Sequence, residues 1–135
     1  MADRPLGAAA VILDDVGRVL LVKHTYGKLN WEVPGGYSEP GESALETVLR
    51  EVRQETGLAV VVERLTGVYD DPEHDTHHFV MLCHQQEQTE VPRADLSEVS
   101  TLDYWPVDAL PRPISDFTAR RIQDALAETA SQHLP

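Results

Sequence analysis

Glu51 and Glu55 stand one helical turn apart in ALETVLREVRQETG, just after PGGYSEPGE, a loop that carries Gly35, Gly36 and Gly41. Two unpaired carboxylates at that spacing repel each other by a few tenths of a kcal/mol on an exposed helix. In a half-sheltered position the repulsion grows, because like charges ~4 Å apart cost about 4 kcal/mol at an effective dielectric near 20. A divalent cation reverses the sign of that interaction. Hard oxygen donors suit magnesium, which takes one or two carboxylates and leaves its other positions to water and substrate phosphates. The chemistry suggested is metal-assisted work on a phosphate. By itself such a pair in so acidic a chain reads first as a solvated helix face, so its setting decides.

The setting is a strongly marked helix over 43–56. Ser43 and Glu46 match a capping box, and Gly57 stands where a C-terminal glycine ends a helix. At about 100° per residue, Leu45, Val48, Leu49, Val52 and Thr56 fall on one face, expected to pack on a sheet. Glu51 and Glu55 lie along one edge of that stripe, and Thr47 and Gln54 continue the same side. Before the helix, LGAAAVIL (6–13) and RVLLVKH (18–24) flank DDVG and read as a β-hairpin, followed by the short alternation LNWEVP. After it, LAVVVERLTGVY (58–69) and HFVMLCHQ (78–85) read as strands around a polar loop, DDPEHDTH. Residues 86–97 form an excursion loop, VSTLDYWPV a further strand and VDALP a short turn of helix. Ser115 or Asp116 caps a last helix to about residue 129, with Phe117, Ile122, Ala125 and Leu126 as its apolar stripe. Strands on both sides of a central helix, then a terminal helix, predict a mixed sheet covered by helices.

One domain accommodates all of this, since the chain has 135 residues. No run approaches the ~18 apolar residues of a membrane span, and MADRPLGAAAVIL lacks the layout of a cleavable signal. Cys83 is the only cysteine, which fits a reducing compartment, so a cytoplasmic location is expected. Eleven Lys and Arg face twenty-three Asp and Glu, a formal charge of −12. Such a field repels phosphate backbones and disfavours nucleic acid as a partner. An anionic substrate would need cations or a local basic patch.

Gly36, five residues, Glu42, seven residues, Arg50-Glu51, Val52, one residue, Gln54-Glu55, one residue, Gly57-Leu58: this pattern over 36–58 resembles the Nudix box. LLVKH, NWEVPGG, GVYDDPEHD and EVSTLDYWPVDALP are similar to the flanking segments of bacterial Nudix hydrolases, so the resemblance covers nearly the whole chain. It implies a single Nudix domain, an α/β/α sandwich with a mixed β-sheet. It also implies hydrolysis of a nucleoside diphosphate linked to another moiety, with Mg2+ or Mn2+. By position, Glu51 and Glu55 are implied metal ligands, and the Gly36 carbonyl a third. Glu51 alternatively orients or deprotonates the attacking water. A base from a later loop is the other option, with Glu73, Asp75, Glu90 and Glu98 available and Glu98 favoured as an additional ligand. Glu42 and Arg50 look like a supporting pair that braces loop against helix. Gln54 departs from the pattern, standing where a Glu is usual. Its neutral oxygen can still coordinate, and weaker metal binding is expected.

Other residues carry less specific signals. Trp31, Lys23, His24 and Lys28 near the glycine loop, and Pro72 beyond the box, are candidate substrate contacts, although Trp31 reads first as a packing residue and the lysines first as flexible surface side chains. HDTHH holds His74, His77 and His78 without a neighbouring cysteine, and strand alternation would send His77 and His78 to opposite faces, a poor zinc site. YDDPEHD is similar to a loop of ADP-ribose-type pyrophosphatases, which favours ADP-ribose or an ADP-sugar. The alternatives are cleavage of nucleoside triphosphates and a ligand-binding module that has lost hydrolysis. A homodimer is an open expectation.

Overall fold

A computed structural model describes residues 5–27 and 29–131, with side chains described to residue 127. Lys28, one of the candidate substrate contacts, and residues 1–4 lie outside it. In chain order the elements are β1 (Gly7–Leu13), β2 (Val19–His24), β3 (Trp31–Glu32), β4 (Gly35–Tyr37), α1 (Ala44–Thr56), β5 (Val60–Asp71), β6 (Thr76–Gln85), β7 (Val99–Trp105) and α2 (Asp116–Ser131). The strands form one mixed sheet, ordered β3-β2-β1-β6-β5, with β4 paired to β1 and β7 to β2. β1 runs parallel to β6 from Gly7 opposite His78 to Leu13 opposite His84, and β5 pairs antiparallel with β6. Among the described residues no helix is long and apolar enough to cross a membrane.

Strands β1, β2 and β6 read as continuous apolar runs because both faces of the sheet are covered. Ala8, Ala10, Ile12, Leu20, Met81 and Cys83 pack on one side with Val48 and Val52 of α1. The alternate residues Ala9, Val11, Val19, Leu21, Val80 and Leu82 pack on the other with Ile122 and Ala125 of α2. That is the expected α/β/α sandwich.

The sequence expectations are modified in three places. The hairpin at 14–17 forms, with Asp14 Oδ1 accepting from the Val16 and Arg18 amides, but the two strands diverge at once and pair with other partners. The polar loop after residue 69 shrinks to a tight turn, as Asp71 accepts from the His74 amide and β5 and β6 pair up to Asp71 and Thr76. VDALP makes one hydrogen-bonded turn, Ala109 to Pro106, and no helix. Pro111 and Pro113 follow it and donate no amide hydrogen to extend one.

Candidate active site

The two ends of α1 are held as its sequence suggests. Ser43 Oγ accepts from the Glu46 amide at 3.1 Å while Glu46 Oε1 accepts from the Ser43 amide at 3.0 Å. Gly57 ends the helix in the left-handed region at φ 75°. The buried face is rotated from the expected one. Thr47, Val48, Val52, Glu55 and Thr56 are buried, whereas Leu45 and Leu49 are 47% and 40% exposed. α1 lies over β1, β4 and β5, so the Gly35–Tyr37 strand takes the flank that carries the acidic residues.

Two glycines make that approach possible. A Cβ on Gly35 would stand 2.5 Å from the Ala8 carbonyl oxygen of the neighbouring strand. A Cβ on Gly36 would stand 2.7 Å from Glu51 Cδ and within 2.9 Å of both carboxylate oxygens. Only a bare backbone lets Glu51 rest there. Arg50 then fixes the assembly. Its Nε and Nη2 donate to the two oxygens of Glu42 at 2.7 and 2.9 Å, and Nη1 donates to Glu51 Oε1 at 2.8 Å. Nη2 also donates to the Tyr37 carbonyl at 3.0 Å, tying α1 to β4. The guanidinium holds the Glu42 carboxyl down at about 2, with the Glu39 amide adding to the effect.

Glu55 is 2% exposed, and its Oε1 has no hydrogen-bond partner. Burial pushes its carboxyl up to about 7; the His24 imidazole pulls it down and the Glu51 carboxylate pushes it up. The pair therefore shares one environment. His24 Nε2 lies 3.7 Å from Glu55 Oε1, and His24 Nδ1 donates to Glu32 Oε2 at 2.7 Å. Glu32 and then Glu55 raise the imidazole to about 10. A shift of register between Lys23 and His24 in the β2–β7 ladder accompanies this placement, as bulges beside functional sites re-aim side chains.

The residues fit a hard cation. Glu51 rests on the Gly36 backbone and interacts with Glu55, which carries a buried oxygen without a hydrogen-bond partner; the His24 imidazolium beside Glu55 would have to give up its proton or its place to a cation there. Among the described residues no group of three or more His, Cys, Asp or Glu side chains is placed to hold a metal ion, so a cation here would rest on the Glu51–Glu55 pair alone.

The remaining sequence candidates divide. Glu98 is exposed, and its carbonyl accepts from the Thr25 amide at 2.8 Å. Burial and then the carboxylates of Glu98, Glu55, Glu32 and Glu51 together hold the Tyr26 phenol above its ordinary value. Gln54 turns its amide oxygen to Arg50 Nη1 at 3.1 Å and so braces the guanidinium. Trp31 packs edge-on against Trp105 in the second core, and Lys23 Nζ lies over the Trp31 ring at 5.9 Å. Pro72, Glu73 and Asp75 sit exposed on the β5–β6 turn, and Glu90 Oε1 accepts from the Ala59 amide. Trp31, Lys23 and Pro72 are thus not among the residues that line the cavity beside Gly36, and neither are Glu51, Gln54, Glu55 or Glu98. That cavity, about 260 Å³, is bordered by Gly36, His24 and Glu32 and, from the α2 side, by Phe117 and Arg121. Glu32, Tyr37 and Arg121 carried no weight in the sequence reading. Helical periodicity was the available signal for Arg121, which lies four residues from both Phe117 and Ala125 on the apolar stripe.

A family model described as NUDIX domain matches residues 3–125. A MutT-like protein of Streptomyces ambofaciens is 31% identical over 121 residues, 90% of this chain and 76% of that protein. An ADP-ribose pyrophosphatase of Methanocaldococcus jannaschii is 35% identical over 79 residues, 57% of this chain and 47% of that protein. The chain spans about half the length of two of the curated relatives that it matches, 48% and 47%. The crystal structure of a MutT NUDIX hydrolase from Burkholderia pseudomallei superposes with a TM-score of 0.70 at 27% identity, over 89% of this chain and 96% of that one. An ADP-ribose pyrophosphatase from Streptococcus suis shares the fold at a TM-score of 0.80 and 23% identity, over 98% and 97% of the two chains. With the domain model matching residues 3–125 of the 135 and Glu51 and Arg50 of the box held against the glycine strand, this chain belongs to the Nudix family.

Proposed function

We propose that the chain hydrolyses the diphosphate of a nucleoside diphosphate joined to a second group, using magnesium or manganese, and releases a nucleoside monophosphate. The observation that carries this reading is Glu55, a buried carboxylate with an unpartnered Oε1 beside Glu51 on the Gly36 backbone. Nudix hydrolases generally require a divalent metal. When bound, such an ion neutralises diphosphate oxygens and makes water more acidic. Glu51, Glu55 and the Gly36 carbonyl would hold it. Arg50 keeps Glu51 in place through its bond to Oε1. Glu98, which follows from the family resemblance, would be the additional carboxylate and, with Glu51, a candidate to take the proton of the attacking water. The water oxygen bonds to phosphorus as the bridging P–O bond breaks, which leaves the monophosphate and the phosphorylated second group. Relatives named ADP-ribose pyrophosphatase support ADP-ribose or an ADP-sugar as substrate. The loop that suggested it in the sequence, around Pro72, does not line the cavity.

The test is incubation of the pure protein with a panel of sugar- and ribose-linked nucleoside diphosphates and nucleoside triphosphates, with and without magnesium. Metal-dependent release of monophosphate is expected, and Glu51→Gln and Glu55→Gln should each reduce it ~10²-fold or more. Binding of intact ligand with no product from any substrate would overturn the hydrolytic reading.

A further inference from the structure

One flank of α1 is left open by the fold. Leu49 lies about 160° around the helix from Glu51, so it points away from β4, on the side where α1 meets β5. Leu45 stands one turn before it, and both are exposed. The sheet continues this apolar surface. Leu65 and Val68 of β5 pair with Met81 and Phe79. Met81 packs on the α1 side, and Phe79, two residues away on the same strand, shares its face. Leu65 and Val68, 45% and 51% exposed, therefore lie on that side too. β5 is the last strand of the sheet, with no strand paired beyond it among the described residues. Helix flank and sheet edge form an apolar step of the kind that marks an interaction surface.

Charges on the helix select what covers it. Glu46 and Arg53 are both exposed, and being seven residues apart they share one stripe with Leu49 between them. Glu46 gives Oε1 to the Ser43 amide and keeps its other oxygen. Arg53 has no side-chain partner among the described residues, in a chain where acids outnumber bases two to one. A stripe that reads acid, apolar, base is complementary to itself when reversed. Two such helices laid antiparallel about an axis beside Leu49 set Glu46 of each copy against Arg53 of the other. A uniformly acidic partner would face Glu46 with like charge, and a basic one would do the same to Arg53.

We propose that this flank is the contact surface of a homodimer, in which the α1 helices of two copies pack antiparallel through Leu45 and Leu49 and rest on Leu65 and Val68. The pairing does not depend on the hydrolysis proposed above. It uses the flank of α1 turned away from Glu51, so the cavity beside Gly36 stays open. Four apolar side chains and two rim ion pairs make a small interface, and the −12 on each copy opposes it at long range. A dissociation constant of about 10–100 µM follows, typical of weak, transient contacts. More dilute protein is a single chain, and its stability is nearly indifferent to Leu49.

The experiment is sedimentation equilibrium of the full chain from ~1 to ~300 µM, a range that brackets the expected constant. The average mass should climb from one chain toward two. Leu49→Glu should remain a single chain throughout. Arg53→Glu sets acid against acid and Glu46→Lys sets base against base, so each should weaken association about tenfold or more. An equimolar mixture of those two variants should associate more tightly than either alone, because each supplies the charges that the other lacks. Recovery on mixing cannot come from a misfolded variant, so it decides the matter even if Leu49→Glu does not fold. A single chain at the highest concentration, association unchanged in Leu49→Glu, or a mixture no tighter than its parts would overturn the proposal.

Discussion

Arg50 shows how one side chain can define a site that it does not itself complete. Its guanidinium contacts Glu42, Glu51, Gln54 and the Tyr37 carbonyl, so loop, helix and β4 meet on a single planar group. The Glu42 partner is held at about 2, below its ordinary value near 4.5. For a carboxyl depressed on folding, the stabilisation is complete above the unfolded value and is lost as pH falls through the folded one. Melting temperatures should therefore decline between pH 4.5 and 2, and Glu42→Gln should flatten that part of the profile while lowering stability at neutral pH. A variant with the same acid slope as the parent would show that the pair does not couple to folding. Gln54 is bound to the opposite edge of the guanidinium and is exposed, so Gln54→Ala should change turnover and magnesium affinity by no more than about threefold, a surface contact of ~0–1 kcal/mol. A tenfold loss of metal affinity in a titration would restore the amide to the ligand set.

At the scale of elements, α1 was legible in its limits and misread in its rotation. The capping box and Gly57 are local, short-range signals, and both appear as expected. The direction of the buried face is not local. Period alone favours the most apolar stripe, which includes Leu45 and Leu49, but β4 competes for the flank and draws Glu51 and Glu55 inward instead. Urea unfolding should register the difference: Val52→Ala, fully buried, should cost about 2 kcal/mol, and Leu49→Gln, on the exposed flank, within ~0.5 kcal/mol of zero. Equal losses would return Leu49 to the core. The same distinction explains the other candidates. Gly36, Glu42, Arg50, Glu51 and Glu55 were legible because their spacing within one loop and helix carries the geometry. Glu32, Tyr37 and Arg121 reach the cavity through β3, β4 and α2, segments that only the folded sheet brings together.

The whole molecule carries a formal charge of −12, yet the groups facing its cavity include the His24 imidazolium and the Arg121 guanidinium. Two fields therefore act on an anionic substrate. The overall field repels it from a distance and is screened by salt, with a Debye length of about 10 Å at 0.1 M. The local cations act within the cavity, at shorter range and with less screening. Their ranges separate them experimentally. Encounter is governed by the long-range part, so at saturating magnesium kcat/KM should rise as monovalent salt is increased from ~10 to ~150 mM, while kcat stays flat. Nucleic acid, with its regular array of phosphates, should show no retention at the same ionic strengths in a filter-binding assay. A kcat/KM that falls steeply with salt would mean that the basic groups dominate at long range.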